Sequence, residues 1–247
     1  DKLKEELGSV RKSSGGGYSN DFEINNHIFK IDIKKLKELD RAKDKPYFGR
    51  IDFIQSGMND AEIFYIGKTS LTRRKDEKRL IIDWRAPISS IYYSGEIGSV
   101  MYRAPDGIIL GNLKLKRQYE IEKRELLNIF DKGLTPMDEF LQKALWEKKD
   151  NRLRDIVMTI QSEQNNIIRA EKDNTVIVQG VAGSGKTTIV LHRIAYLLYS
   201  YRDTLKPEKI LILVPNRLFL NYISDVLPDL GVEEIAQGTF EEIAMKF

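Results

Sequence analysis

The sequence predicts an α/β fold in which a parallel sheet is preceded by a β-rich module and a helical segment. After residue 130, short apolar runs alternate with helical patterns over short links, which is the order of a parallel sheet covered by helices. Between residues 45 and 130, aromatic and β-branched runs are separated by turn residues, which favours antiparallel strands. We therefore divide the 247 residues into three regions: 1–44, 45–130 and 131–247.

Residues 1–44 form the predicted helical segment. Charged helical patterns lie on both sides of Ser13-Ser14-Gly15-Gly16-Gly17, whose composition is typical of a flexible linker. This linker is either native or joins two stumps of a removed helical arm, and the residues are compatible with both interpretations.

Residues 45–130 form the predicted β-rich module. Its short apolar or aromatic runs are residues 47–53, 62–66, 80–83, 91–93 and 100–103. The turn Ala104-Pro105-Asp106-Gly107 leads into a longer stretch, residues 113–122, in which apolar and charged side chains alternate. Alternation of this kind is the period of a half-buried strand. We predict an antiparallel sheet or a small barrel.

Residues 131–247 carry the alternation of helices and strands. Helices are predicted at 137–146, 153–170, 187–201 and 217–226, with strands at 175–179 and 210–214. The unbroken apolar run at 210–214 is the pattern of a parallel strand covered on both faces. Thr239-Phe240-Glu241-Glu242 is a capping box that opens one more helix. The pattern stops within that helix at Phe247, so we expect the sheet to be truncated.

The composition excludes several classes of function. No cysteine is present, which excludes disulfides, thiolate catalysis and zinc–cysteine sites. The histidines, His27 and His192, lie far apart, and we predict His192 to be a surface or packing residue. A formal net charge of +3 does not indicate a basic nucleic-acid surface. The start is charged and no apolar run approaches the roughly 20 residues of a membrane span, so we expect a soluble, cytoplasmic protein without a membrane partner.

One run in the third region fits the phosphate-binding pattern GxxxxGK(S/T). It consists of Gly180, Val181, Ala182, Gly183, Ser184, Gly185, Lys186 and Thr187, with Thr188 next in the following helix. Glycines let backbone N–H groups point at phosphates, and the helix aims its positive end at the same anion. Lys186 is predicted to reach the β- and γ-phosphates, and the Thr187 hydroxyl to complete a magnesium shell. We therefore predict a P-loop NTPase (RecA-like) fold, a nucleotide with Mg²⁺ as cofactors, and Lys186 and Thr187 as catalytic residues.

Gln161 and Gln164 precede this loop on a predicted helix. Their position resembles the adenine-reading Q motif of superfamily 1 helicases, with Gln164 the better match and Gln161 the second candidate. A side-chain amide offers a donor and an acceptor together to the adenine edge, which suits recognition of ATP rather than GTP. The resemblance implies that ATP is the nucleotide and that these glutamines contact it.

Two segments after the loop resemble motifs Ia and Ib of UvrD-like helicases, which touch single-stranded DNA. Residues 210–217 and 238–240 occupy their places, and the resemblance implies DNA contacts at Asn216, Arg217 and Thr239. However, Val214 stands where those helicases have a stacking aromatic, and Glu241 where they have a histidine. Stacking contributes about 1–3 kcal/mol per base, so its loss weakens the case for DNA. Thr239 also has a sufficient structural role as a helix N-cap.

The most specific resemblance to a known family lies in the residues that precede the phosphate-binding loop. It is carried by Lys45-Pro46-Tyr47-Phe48-Gly49-Arg50-Ile51-Asp52-Phe53, Tyr65-Ile66-Gly67-Lys68 and Asp83-Trp84-Arg85-Ala86-Pro87-Ile88. In this combination the chain is similar to the HelD family, helicase-like motors that bind RNA polymerase and use ATP to release it from stalled complexes. The resemblance implies RNA polymerase core as a partner, nucleic acid as a second one, and the base of a coiled-coil arm in residues 1–44.

The same N-terminal residues also have a plainer interpretation. Aromatic side chains among them are expected in the core: Tyr47, Phe48 and Trp84. Their arginines have nearby acidic partners in the sequence: Arg50 with Asp52, and Arg85 with Asp83. The resemblance therefore identifies the family rather than a role for each residue.

We interpret the chain as the N-terminal portion of a HelD-like superfamily 1 ATPase that remodels or recycles RNA polymerase complexes. One alternative is an ATP-dependent DNA helicase or translocase in repair, which Val214 disfavours. The other is a non-motor binding module that holds ATP as a structural ligand. Superfamily 1 enzymes carry the acidic and arginine residues of hydrolysis in later motifs, so we expect this chain to bind ATP but barely to hydrolyse it alone.

Overall fold

The computed structural model describes residues 40, 42–73, 75–131, 160–232 and 235–245. Within these ranges the chain is a mixed α/β protein whose strands are mostly antiparallel, so the predicted α/β class is confirmed in its coarse form. The helix predicted at 137–146, the first part of that predicted at 153–170, and nearly all of segment 1–44 lie outside the described residues.

A seven-stranded sheet occupies the first half of the described chain. Its strands are β1 (Gly49–Gln55), β2 (Glu62–Gly67), β3 (Leu71–Thr72), β4 (Arg79–Asp83), β5 (Gly98–Ala104), β6 (Gly107–Glu122) and β7 (Glu125–Asp131). Their order across the sheet is β3-β4-β2-β1-β6-β5, and β7 also pairs with β6. The pairs are antiparallel except β2–β4, which is parallel. The predicted antiparallel sheet is confirmed.

Strand β1 shows why this sheet has one buried face. Ile51 and Phe53 are buried, while Arg50 and Asp52 point to the opposite face and form the predicted ion pair at 2.7 Å. Gly49 packs closely against the core. A Cβ added there would lie 2.7 Å from the Tyr92 ring. The alternation therefore places the core on the side of the sheet that carries Tyr92.

Residues 91–93 were predicted as a strand, and this prediction is wrong. They belong to a short helix, α1 (Ser90–Ser94), entered through the 3-10 turn Pro87–Ser89. Ile91, Tyr92 and Tyr93 are all buried, whereas a strand would send neighbours to opposite faces. The helix lies between the sheet and the helix Ser162–Ile168, so this short apolar run is buried on all sides. Such a run does not distinguish a strand from a buried helix by periodicity.

The second half of the described chain is mainly helical. Its elements are α2 (Ser162–Ile168), α3 (Lys186–Ser200), β8 (Leu211–Val214), α4 (Arg217–Val226), β9 (Ala236–Thr239) and α5 (Phe240–Ala244). The predicted capping box is present, because Thr239 N donates to Glu242 Oε2 at 3.2 Å and Glu242 N donates to Thr239 Oγ1 at 3.3 Å. The predicted helices α3, α4 and α5 are confirmed. No helix in the described ranges is long and apolar enough to cross a bilayer.

The predicted parallel sheet needs correction. Strands β8 and β9 form a two-stranded parallel pair, but residues 175–179 pair with no strand in the described part of the chain, and Ile177 is 88% exposed. Strand β8 is covered on one face only, since Leu211 and Leu213 are exposed. A strand needs a neighbouring strand to pair with its backbone N–H and C=O groups. Among the described residues, no strand pairs with residues 175–179. A RecA-like sheet is therefore not formed within these ranges.

Residues 83–87 join the two halves. Arg85 forms the predicted pair with Asp83, with Nη2 donating to Oδ2 at 2.7 Å and Nε to Oδ1 at 2.8 Å. Its Nη1 also donates to Leu230 O at 3.2 Å, and its guanidinium lies 4.8 Å from the centre of the Tyr199 ring. Trp84 is buried between the halves. The Asp-Trp-Arg segment therefore positions the β-rich module against α3.

Candidate nucleotide-binding site

The phosphate-loop sequence forms a tight loop at the start of α3. Gly183 and Gly185 have φ angles of 80° and 81°, in the left-handed region that glycine adopts without a Cβ clash. Gly185 is the N-cap of α3. Gly180 lies close to the opposite side of the loop, because a Cβ added there would be 2.8 Å from Ser184 Oγ. The glycines of the pattern are thus positions where backbone geometry or space disfavours a side chain.

Lys186 folds back onto the loop backbone. Its Nζ donates to Gly180 O at 2.9 Å and to Val181 O at 2.7 Å. Lys186 is also the first residue of α3, a helix of 15 residues, whose unsatisfied N–H groups and positive dipole end favour an anion. Thr187 and Thr188 follow in the same turn and are half-buried. An ammonium beside a helix N-terminus is an arrangement that fits phosphate.

The predicted magnesium contact, Thr187, fits an ion that arrives with the nucleotide. The described ranges contain no cluster of His, Asp or Glu that could hold a metal by itself. Mg²⁺ commonly keeps several waters and is bound through few protein ligands together with substrate phosphates. A single hydroxyl in the first turn of α3 suits that mode of binding.

Of the two predicted glutamines, Gln164 lies beside the loop and Gln161 lies at the start of α2. Gln161 N donates to Gln164 Oε1 at 3.1 Å, which fixes the orientation of the Gln164 amide. Gln164 Nε2 then lies 4.0 Å from the place that a Cβ on Gly185 would occupy. Gln161 is exposed and serves as the N-cap of α2. The structure therefore directs the NH₂ group of Gln164 toward the loop, while Gln161 acts through its backbone.

A cavity of about 250 Å³ lies between α2, α3 and the loop. Its lining combines apolar and polar side chains: Ile160, Ile168, Ile189, Gln164, Thr188 and His192. Gly183 and Ser184 at its rim are exposed, whereas His192 is only 1% exposed. The cavity therefore leads from the surface of the loop into the core.

His192 is the most deeply buried polar residue that lines this cavity. Its Nδ1 lies 2.7 Å from Thr188 O, one helical turn earlier, and its ring meets Trp84 edge-on with 5.5 Å between centroids. Burial lowers the pKa of His192 below its usual value. The predicted packing role is confirmed by the Trp84 contact. However, Nε2 is buried without a hydrogen-bond partner among the described residues, a feature that the sequence prediction missed. The i, i+4 spacing of Thr188 and His192 was the available signal.

Arg169, directly after α2, holds the site to the β-rich module. Its Nη2 donates to Trp84 O at 2.6 Å, and its Nη1 donates to Arg85 O at 3.2 Å and Ala86 O at 3.3 Å. Its Nε donates to Asn165 Oδ1 at 2.9 Å. The sequence prediction missed Arg169 because its partners are backbone oxygens about 85 positions earlier, and no short motif marks such a contact.

The three residues predicted to contact nucleic acid lie together at the ends of β8 and β9. Asn216 Oδ1 accepts from a backbone N–H of α4 at 2.9 Å, so this residue caps the helix. Arg217 Nε donates to Glu242 Oε1 at 2.8 Å, and Thr239 forms the capping box with the same glutamate. Val214, at the place of the stacking aromatic, is buried. Each predicted contact therefore already has a partner within the protein.

Two models of known protein families match the chain. The one described as DNA helicase IV HelD, N-terminal domain, matches residues 1–148, which is more than half of the 247 residues. The one described as UvrD/REP helicase N-terminal domain matches residues 160–215, which include Gln164, the phosphate loop and β8. No curated protein matches the chain. The resemblance to HelD and to UvrD-related helicases is confirmed.

Proposed function

Because the chain belongs to the HelD helicase family, we propose that it is the ATP-binding part of a superfamily 1 helicase-like motor that remodels or recycles RNA polymerase complexes. The single observation that carries ATP binding is the loop at the N-terminus of α3, where left-handed glycines, the Lys186 ammonium and the positive helix end meet. The match to the UvrD/REP domain across this loop supports the motor class.

In the proposed site, different groups of the chain bind the phosphates, the Mg²⁺ ion and the base. Backbone N–H groups around Gly183 and Gly185 would hold the phosphates, and Lys186 Nζ, which donates to the carbonyls of Gly180 and Val181, would donate to phosphate oxygens instead. The Thr187 hydroxyl would hold Mg²⁺, which when bound neutralises charge on the phosphates. Gln164 would contact the purine base, and its place in the lining of the cavity beside the loop supports this role.

Substitution of Lys186 tests the ATP site. Lys186→Ala removes a charge-assisted contact to phosphate and should weaken binding of Mg-ATP and Mg-ADP by about 1.5–3 kcal/mol, measured by titration calorimetry. Lys209→Ala is the control, because it removes the same charge from an exposed turn away from the loop and should leave the affinity unchanged. Equal affinity of Lys186→Ala and wild type would refute the site.

RNA polymerase is proposed as the main partner because the edge that would meet DNA is already engaged. Asn216 and Thr239 act as helix caps, and Arg217 is paired with a carboxylate. Glu242 holds its charge there, since the Thr239 N–H and the Arg217 guanidinium lower its pKa. A second candidate, a DNA helicase, is favoured by the description of the matching HelD domain. A comparison of the two partners, described below, separates these functions.

A further inference from the structure

Arg193 reaches from α3 to the C-terminal end of α2. Its Nη1 donates to the carbonyl oxygens of Ile167 at 3.1 Å, Ile168 at 3.2 Å and Ala170 at 2.6 Å, and its Nη2 donates to Glu171 O at 2.9 Å. The last carbonyl groups of a helix have no partner within the helix, and the negative end of the helix dipole lies there. Because α2 has no basic residue in its own last turn, the cation that caps it comes from another element.

This contact matters because α2 is too short to be stable by itself. It spans seven residues, Ser162–Ile168, and isolated helices shorter than about 12–15 residues are marginal in water. The position of α2 is therefore set by its contacts with the rest of the fold. At its last residue, Ile168 is only 1% exposed, and the carbonyl contacts of Arg193 lie directly beside this buried side chain.

The first turn of α2 carries Gln164. Its Oε1 accepts from Gln161 N at 3.1 Å, so the amide is fixed to the helix, and its Nε2 lies 4.0 Å from the place that a Cβ on Gly185 would occupy. Gly185 is the N-cap of α3, and Arg193 lies about two turns further along the same helix. Helix α3 therefore carries the phosphate loop at its start and, two turns later, the side chain that holds the helix of Gln164.

We infer that Arg193 is a positioning residue of the nucleotide site, which holds α2 against α3 so that Gln164 stays beside the phosphate loop. The inference rests on the proposed contact of Gln164 with the base and adds to it the residue that keeps this contact in place. Arginine suits the role because its guanidinium presents five donors in a rigid fork, whereas lysine has a single nitrogen on a flexible chain.

The test compares Mg-ATP with Mg-tripolyphosphate, which has three phosphates but no base. By titration calorimetry, Arg193→Ala should bind ATP about tenfold more weakly than the wild type, as loss of one net hydrogen bond to the base predicts, and should keep the wild-type affinity for tripolyphosphate. Arg193→Lys keeps the charge without the fork and should show a smaller loss, again for ATP alone. Arg202→Ala, the matched control, removes an exposed arginine just after α3 and should change neither affinity.

A double-variant cycle shows whether Arg193 acts through Gln164. Gln164→Ala alone should weaken ATP binding by a similar factor and leave tripolyphosphate binding unchanged. Arg193→Ala should then add little in the Gln164→Ala background, because the contact that it supports is already absent. Full additivity of the two losses would show that Arg193 acts elsewhere and would overturn the inference.

The outcomes separate this inference from the proposed function. If the wild type binds neither ligand, the proposed ATP site fails. If the wild type binds both but Arg193→Ala weakens them equally or not at all, the site stands and the inference is overturned. If Gln164→Ala binds ATP as the wild type does, there is no base contact to position, and the inference is overturned as well. If Arg193→Ala does not fold, Arg193→Lys decides: a loss for ATP alone supports the inference, and any other result overturns it.

Amide hydrogen exchange provides a structural readout of the same contact. In Arg193→Ala, residues 162–168 should exchange faster than in the wild type, because α2 has lost its anchor, while residues 186–200 should keep their protection. Exchange at the wild-type rate across α2 in this variant would contradict the anchoring role.

Discussion

At the scale of single residues, Arg169 shows how one side chain can join distant segments. Its guanidinium donates to the carbonyl oxygens of residues 84–86 and lies 5.0 Å from the centre of the Tyr196 ring. Burial lowers its pKa, yet an arginine stays charged under all conditions in which proteins fold. Backbone dipoles therefore solvate this cation, and its position depends on the exact path of residues 84–86.

We expect Arg169→Ala to destabilise the chain strongly. It would leave the buried carbonyls of residues 84–86 without their donor, which should lower the free energy of unfolding by about 2–4 kcal/mol in urea titrations. Arg103→Ala is the matched control, because Arg103 also links the two halves, through Glu171 at 2.7 Å, but both side chains are exposed. That pair should contribute nothing measurable. Similar losses in the two variants would argue against a special role for Arg169.

At the scale of elements, helix caps and nucleic-acid contacts can be told apart at Asn216. This residue caps α4, so Asn216→Ala should cost about 1 kcal/mol of unfolding free energy, while Asn216→Asp, also a good cap, should cost little. If Asn216 contacted DNA, the added negative charge of the aspartate would weaken single-strand binding, measured by fluorescence anisotropy. We expect binding to be unchanged in Asn216→Asp. A clear loss there would place DNA at this edge.

Local signals decided which elements could be predicted. The bounds of α4 were predicted correctly because its N-cap, Asn216, and its apolar period both lie in consecutive residues. Residues 91–93 were assigned to the wrong element because burial against the sheet and α2, rather than local preference, makes them helical. Residues 175–179 have the composition of a strand, but a strand also needs a neighbour, and local sequence carries no information about one.

The phosphate loop could be predicted from local sequence, whereas the cavity beside it could not. The loop could be predicted because its pattern encodes backbone shape, charge and hydroxyl in consecutive residues. The cavity could not, because its lining combines Gln164 of α2 with Thr188 and His192 of α3, which come together only in the folded chain. The burial of His192 and the contact of its Nδ1 with Thr188 O are likewise not visible in the sequence.

At the scale of the whole molecule, the balance of charge bears on the choice of partner. The chain has 40 basic and 37 acidic residues, and a formal net charge of +3. Non-specific affinity for nucleic acid depends on many Lys and Arg contacts to phosphate and falls steeply with salt. A net charge this small is expected to give little non-specific affinity for the DNA backbone, which agrees with the proposed protein partner.

The corresponding prediction compares RNA polymerase core with single-stranded DNA at physiological ionic strength. The full-length protein should bind polymerase core with sub-micromolar affinity and single-stranded DNA far more weakly, as measured by biolayer interferometry. Removing residues 1–43 should damage polymerase binding and leave Mg-ATP affinity intact. Tight, salt-resistant DNA binding, together with failure of polymerase to co-purify, would instead favour the DNA helicase.

The bond from Arg85 to Leu230 spans 145 positions, and this has a consequence for how the protein is made. A ribosome adds about 5–20 residues per second, so residues 83–87 wait roughly 7–30 s for the segment that completes their contacts. The side chain of α3 that packs against Trp84, His192, is translated earlier than Leu230 but still 108 positions after Trp84. The β-rich module therefore leaves the ribosome before the segments that complete its contacts, and we expect the contacts between the two halves to form only after the second half has been translated.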